Sequence, residues 1–136
     1  MTKVLRDIIS RNHAGERAAI PSVCSAQPDV LRASLIMAER LDRHIVIEAT
    51  SNQVNQDGGY TGMTPAGFIS FVNGLADDAD VARERIIFGG DHLGPPAWRS
   101  LDADTALAKA DVLVRGYVAA GCCNSPLACC AGTRSD

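Results

Sequence analysis

The sequence lacks the features that would place it in a membrane or outside the cell. No apolar run among its 136 residues approaches the ~20 that span a bilayer. Residues 1–13 interleave Lys3, Arg6, Asp7 and Arg11 with apolar positions, so the uninterrupted apolar core of a secretory signal is missing. Basic residues are scattered and the net charge is −3, which leaves no electrostatic footprint for nucleic acid and no polybasic face for a membrane. The cytoplasm is the expected compartment, and neither nucleic acid nor membrane is an expected partner. Five cysteines, an odd count without a secretion signal, argue against a disulfide framework. There is no G-x-G-x-x-G after the first strand and no G-x-x-x-x-G-K-[ST] anywhere, so the usual nucleotide-binding signatures are absent. No internal repeat stands out.

What is present is an ordinary soluble composition, 46% hydrophobic and 21% charged, in a chain with room for one domain. Val4, Leu5, Ile8 and Ile9 recur at helical spacing and Gly15 follows as a stop, which predicts a short N-terminal helix. Residues 20–26 (IPSVCSA) suit a buried strand. Pro28 opens a helix to about Leu41, whose apolar residues Val30, Leu31, Leu35, Met37, Ala38 and Leu41 cover a broad face. Residues 44–50 (HIVIEAT) form the second strand, and a polar, glycine-containing loop runs over 51–63.

Thr64-Pro65 then starts a helix, with a hydroxyl to cap free amides and a proline just inside. Phe68, Phe71, Val72, Leu75 and Ala76 make its apolar face. Residues 85–91 (RIIFGGD) form the third strand, followed by a Gly/Pro-containing loop at 93–99. A last helix spans roughly 103–120 with the stripe Leu107, Ala110, Val114, Tyr117 and Val118, and Gly121 ends it.

This regular alternation predicts parallel strands with crossover helices. A doubly wound sheet and a (β/α)8 barrel compete. Polar residues collect after each strand's C-terminal end: Ser25 and Gln27, then Glu48 to Gln56, then Asp91 and His92. Both folds put ligands there. Glu48 and Asp91 at strand ends favour a barrel of the sugar or sugar-phosphate type. The fold class is therefore α/β: the first three β-α units of a (β/α)8 TIM-type barrel, incomplete, since a barrel takes about 250 residues.

Three segments carry chemical interest. In Gly89-Gly90-Asp91-His92-Leu93-Gly94-Pro95 the glycines permit close approach to the strand end. Asp91 suits proton transfer, and His92 suits metal ligation or polarisation of a hydroxyl. A structural reading stands beside this, with Asp91 capping the loop and His92 hydrogen-bonded in a polar mouth. In the second segment, Glu48 at a buried strand end is costly unless paired or functional. Asn52, Gln53 and Asn55 after it either hydrogen-bond sugar hydroxyls and phosphate oxygens or satisfy loop backbone. In the third, Ser22-Val23-Cys24-Ser25, no neighbouring base would activate Cys24, which reads as a small buried core residue. His13 and His44 read as surface or helix-end histidines.

The segments 21–26 (PSVCSA), 47–56 (IEATSNQVNQ), 58–65 (GGYTGMTP) and 89–95 (GGDHLGP), in this order, resemble the Z-type, non-catalytic subunit family of class II D-tagatose-1,6-bisphosphate aldolase. The resemblance covers roughly 3–121 and implies a barrel about three times this length. It implies an accessory subunit supporting the activity and stability of a separate zinc-dependent catalytic aldolase subunit. The resemblance implies tagatose bisphosphate as the sugar phosphate, cleaved by that catalytic subunit to glycerone phosphate and glyceraldehyde 3-phosphate in galactitol or amino-sugar catabolism. Some relatives are called tagatose-6-phosphate kinases, which nothing in this sequence supports; others are described as metal-dependent sugar epimerases. The Asp91-His92 pair is similar to the Asp-His of catalytic class II aldolases. That similarity implies Asp91 as general acid/base and His92 as ligand to a divalent metal such as zinc, with Glu48 as a further catalytic contact. Ser25, Asn52, Gln53 and Asn55 are the substrate-binding candidates. One histidine is not a zinc site, since catalytic zinc usually takes three protein ligands, and no independent catalysis or cofactor is expected of this chain alone.

Residues 1–121 thus read as a partial barrel domain and 122–136 as an aberrant Cys-rich tail. In the family a fourth strand carrying His, Leu and Asp follows Gly121. Here Cys122, Cys123, Cys129 and Cys130 stand in adjacent pairs, not at C-x2-C spacing, and Pro126 is incompatible with a central strand. A shifted reading frame or early stop is the expected origin of this tail.

Overall fold

The computed structural model describes residues 3–122; the expected tail lies outside them, except for Cys122. The elements are α1 (Lys3–His13), β1 (Ser22–Cys24), α2 (Pro28–Arg40), β2 (Ile45–Thr50), α3 (Pro65–Asp78), β3 (Ile86–Asp91) and α4 (Ala103–Ala119). Gln27 caps α2 by accepting from Val30 N–H at 2.7 Å, and Pro28 occupies the first turn. Thr64 accepts from Gly67 N–H at 3.3 Å ahead of Pro65. Asp102 accepts from Thr105 N–H at 3.0 Å to begin α4. Each cap satisfies an amide that the helix leaves without a carbonyl partner.

The strands form one parallel sheet in the order β1-β2-β3. Sequential order with every crossover helix on one face is the winding of a barrel. A doubly wound sheet reverses its order and uses both faces. On the helix-bearing face, Ile45, Ile47 and Ala49 pack with Leu31 and Leu35 of α2, Phe68 and Val72 of α3, and Leu113 and Tyr117 of α4. On the other face Leu5 of α1 packs against Val46 and Ile87 near the strands' N-terminal ends. Tyr117 donates its hydroxyl to the carbonyls of Ala49 (3.2 Å) and Val54 (3.4 Å), tying α4 to β2. Burial raises its pKa, so the phenol stays a donor.

Several expectations change in detail. β1, an edge strand of the described sheet, is three residues long rather than the predicted 20–26, since only Ser22–Cys24 pair with β2. Cys24 is exposed rather than a core residue, since no strand lies beyond β1 among the described residues. On α4 Ala110 and Tyr117 of the expected stripe are buried, together with Ala106 and Leu113, and Val114 is partly buried against the core. Leu107 and Val118 are exposed. On α2, Leu31, Leu35 and Ala38 are buried while Val30, Met37 and Leu41 are exposed. These uncovered apolar residues lie on the first and last crossover helices of the described arc, where a closed barrel would supply neighbouring units.

Candidate functional site

In a parallel sheet, partners in register point to the same face, and alternate residues share it. Ser22 aligns with Val46 and Ile87, Cys24 with Glu48 and Gly89, and Thr50 with Asp91. The face away from α2, α3 and α4 is therefore graded. It is apolar near the strand starts, at Val46 and Ile87 beside Ser22, and polar toward the C-terminal ends, at Cys24, Glu48, Thr50 and Asp91. The C-terminal ends are where barrels bind ligands.

Glu48 is buried, 9% exposed, and is partnered: Ser22 Oγ donates to its Oε1 at 2.6 Å. The second carboxylate oxygen retains acceptor capacity. Cys24, on the same edge, donates weakly to Gln53 Oε1 at 3.6 Å. Partial burial pushes its thiol up to about 11, with the hydrogen bond and charge of Asp91 and the charge of Glu48 adding to the shift. Cys24 is thus a neutral thiol between two carboxylates, and not a nucleophile.

Asp91 ends β3 and receives a contact from His92 Nδ1 at 2.6 Å. With Nδ1 turned to the carboxylate, Nε2 of His92 is the atom directed elsewhere, and its side chain is 83% exposed. His92 adopts φ 49°, a left-handed conformation uncommon outside glycine and concentrated at functional sites. Gly90, on the opposite face, lies against Leu93: a Cβ there would lie 2.5 Å from Leu93 Cδ1, so that side chain would have to shift.

The β2–α3 loop is held largely by its own side chains. Gln53 Oε1 accepts from Thr50 N–H at 2.8 Å. Buried Asn55 donates to Ser51 O at 2.7 Å and accepts from the amides of Asp57 (2.8 Å) and Gly59 (3.0 Å). Ser25 Oγ accepts from Gln27 N–H at 3.2 Å. Asn52 is exposed and its side chain has no hydrogen-bond partner among the described residues. The structure therefore gathers Glu48, Gln53, Asp91 and His92 at the strand ends. Asn55 bonds to loop backbone, Ser25 lies just beyond β1, and Asn52 stands on the rim.

Sequence reasoning passes over Ser22 as a partner of Glu48 and misplaces Cys24. Alternation puts residues 22 and 24 on one face, but only the register sets that face beside residue 48. It also passes over Asp57, whose Oδ2 accepts from Trp98 Nε1 (3.0 Å) and Lys109 Nζ (2.8 Å). Those two donors, Lys109 first, hold its pKa below the ordinary value. Lys109 also lies 5.6 Å from the Trp98 ring centroid. Residues so far apart in sequence offer no local signal.

Among the described residues no three His, Cys, Asp or Glu side chains gather to hold a metal. A zinc ion on His92 would need ligands from outside them. A cavity of about 650 Å³ lies at the other end of the sheet, lined by Lys3, Arg11, Arg17, Arg43 and His44 among others. The N-terminal end of barrel strands serves stability rather than chemistry.

The profile of the GatZ/KbaZ-like family, D-tagatose-1,6-bisphosphate aldolase subunit GatZ/KbaZ-like, matches residues 5–136. The chain belongs to the GatZ/KbaZ-like family. It is 55% identical over 117 residues to proteins named D-tagatose-1,6-bisphosphate aldolase subunit GatZ from Escherichia coli O1:K1 / APEC and from Shigella boydii serotype 18. The match takes in 86% of this chain and 28% of those proteins, so the chain spans little more than a quarter of these GatZ relatives. A solved structure, described as a probable tagatose 6 phosphate kinase from Sinorhizobium meliloti 1021, superposes with a TM-score of 0.72 at 48% identity. The superposition covers 79% of this chain and 30% of that one. This GatZ/KbaZ-like segment is a partial TIM-type barrel. No helix among the described residues is long and apolar enough to cross a membrane.

Proposed function

We propose that this chain is the N-terminal part of the accessory, non-catalytic subunit of D-tagatose-1,6-bisphosphate aldolase. In this reading the complete protein works by contact, supporting the activity and stability of a separate zinc-dependent catalytic subunit in galactitol or amino-sugar catabolism in the cytoplasm. The observation that carries it is the assembly of Glu48, Gln53 and Asp91-His92 at one set of strand ends. It occurs in a chain 55% identical to proteins named as subunits of this aldolase.

The strand-end residues then have a binding role toward a sugar phosphate. Asn52 and Gln53 offer amides on the rim, Ser25 and Asn55 shape the loops that present them, and Asp91 and Glu48 supply carboxylates for hydroxyl groups. His92 Nε2 is the proposed metal-facing atom of the complete protein, with Asp91 holding the tautomer through Nδ1.

A second reading, a sugar or sugar-phosphate epimerase or aldolase acting by itself, is favoured by the 2.6 Å Asp91–His92 contact. Such a pair orients an imidazole and can move a proton. Assay of the complete protein with and without the catalytic subunit separates the two. An accessory subunit raises the partner's rate and half-life and cleaves nothing alone. Turnover of a ketose or its phosphate by the complete protein alone establishes the second reading.

A further inference from the structure

The loops that follow β2 and β3 carry strand-end groups, Gln53 on one and His92 on the other. Each loop is fixed close to its own strand. Gln53 Oε1 accepts from Thr50 N–H at 2.8 Å, and Leu93, the residue after His92, is buried against Gly90. Farther out, a single hydrogen bond among the described residues joins the two loops: Trp98 Nε1 donates to Asp57 Oδ2 at 3.0 Å. Trp98 sits on the 3-10 turn Pro95–Trp98 and is 7% exposed. A buried indole N–H needs an acceptor, and Asp57 supplies it.

Asp57 is also held from α4. Lys109 Nζ donates to the same Oδ2 at 2.8 Å and lies 5.6 Å from the Trp98 ring centroid. The adjacent Gln56 donates Nε2 to Lys109 O at 2.9 Å. Residues 41 and 52 positions away from Asp57 are thus fastened at one carboxylate, through charge-assisted bonds that are stronger than neutral ones. None of Asp57, Trp98 and Lys109 bonds to Glu48, Gln53, Asp91 or His92. The clamp therefore adds no group to the strand-end cluster. What it fixes is the spacing of the loops that carry the cluster. Groups that hold one ligand from two loops need a set separation, since a misplacement of about 1 Å is costly. Bonds behind the contact groups are what keep that separation.

We propose that Asp57 is a positioning residue for sugar-phosphate binding, its clamp on Trp98 and Lys109 setting the separation of Gln53 from Asp91-His92. The inference rests on the binding role given above to the strand ends, and names what holds their geometry. Every partner in the clamp belongs to the described chain, so the link does not depend on what the remaining units of the barrel contribute.

The test uses the complete protein, with tagatose bisphosphate as the probe. Titration calorimetry gives the dissociation constant for wild type, Asp57→Ala, Asp57→Asn and Trp98→Phe, well below the lowest thermal midpoint of the set. Glu39→Ala controls for stability alone, because it breaks the 2.7 Å ion pair with Arg85 at the opposite end of the sheet. Asp57→Ala and Trp98→Phe are expected to weaken binding about tenfold. Asp57→Asn, which keeps an oxygen for the indole N–H, recovers most of that loss. Glu39→Ala lowers the midpoint and leaves the affinity unchanged. Unchanged affinity in both Asp57→Ala and Trp98→Phe overturns the proposal and leaves the clamp as structural bracing. So does an equal loss in Glu39→Ala, which would trace the weaker binding to lost stability. Wild-type protein that binds no tagatose bisphosphate overturns the binding reading of the strand ends, and the positioning role with it.

Discussion

Ser22 donates its hydroxyl to Glu48 across 2.6 Å, joining the edge strand to the centre of the sheet at the point where the inner face changes from apolar to polar. Glu48 is 9% exposed, so its carboxylate depends on this donor for a partner that water supplies poorly there. Ser22→Ala in the complete protein should destabilise by about 1–3 kcal/mol, the cost of leaving a buried acceptor unsatisfied. Ser22→Thr should recover most of it. Urea denaturation at pH 7 measures both.

Cys24 should be slow to alkylate at neutral pH despite its exposure. Partial burial and the facing carboxylates push its thiol up to about 11, so the reactive thiolate is scarce at pH 7. The iodoacetamide rate at Cys24 should climb through pH 9–11. Asp91→Asn should shift that rise to lower pH, because the neighbouring charge that opposes thiolate formation is gone. A rate already at its plateau at pH 8 would show that the carboxylates do not face the sulfur.

Asp57 ties three segments together through Trp98 and Lys109. Its lowered pKa means that the folded state favours the ionised form. That contribution is in place above the unfolded-state pKa of about 3.9 and is lost as pH falls through the depressed folded value. Stability profiles of wild type and Asp57→Asn should therefore converge on acidification below about pH 4 and separate at pH 7. Parallel curves across that window would contradict the assignment.

Two glycines should differ in sensitivity. At Gly59 an added Cβ meets backbone carbonyl atoms and the residue holds φ +56°. Gly59→Ala should cost at least about 2 kcal/mol. At Gly90 the obstacle is the Leu93 side chain, which can shift, so Gly90→Ala should cost about 1–2 kcal/mol. Paired denaturation curves settle the order.

The isolated chain should lack a cooperative monomeric unfolding transition. Leu41 and Leu107, 57% and 56% exposed, stand on opposite flanks of the arc, and β1 and β3 are both edge strands of the described sheet. Such surfaces associate or aggregate. A sharp calorimetric transition from a monomer would contradict this.

The helix starts are legible in the sequence because they rest on local chemistry: Thr64-Pro65 and Pro28 specify a first turn whatever surrounds it. β2 and β3 are legible because their apolar runs are buried on both faces. β1 is not, since its seven-residue apolar stretch gives no hint that only Ser22–Cys24 pairs. On α4, apolar residues occur on two adjacent faces, and the sequence pattern does not tell which one meets β2. Tyr117 decides it by bonding to Ala49 and Val54. At the site, Glu48 and Asp91-His92 stand out as charges at strand ends, while the pairing of Ser22 with Glu48 depends on a register that no local pattern encodes.

The complete protein, in this account, serves as the accessory partner of an aldolase. The most direct measurement is tagatose bisphosphate cleavage by the purified catalytic subunit, alone and with the complete form of this protein added at increasing concentration. A saturable rise in rate and in half-life at working temperature, with no cleavage by the added protein alone, is the predicted result. A catalytic subunit indifferent to the addition, or cleavage by the added protein in its absence, would contradict it.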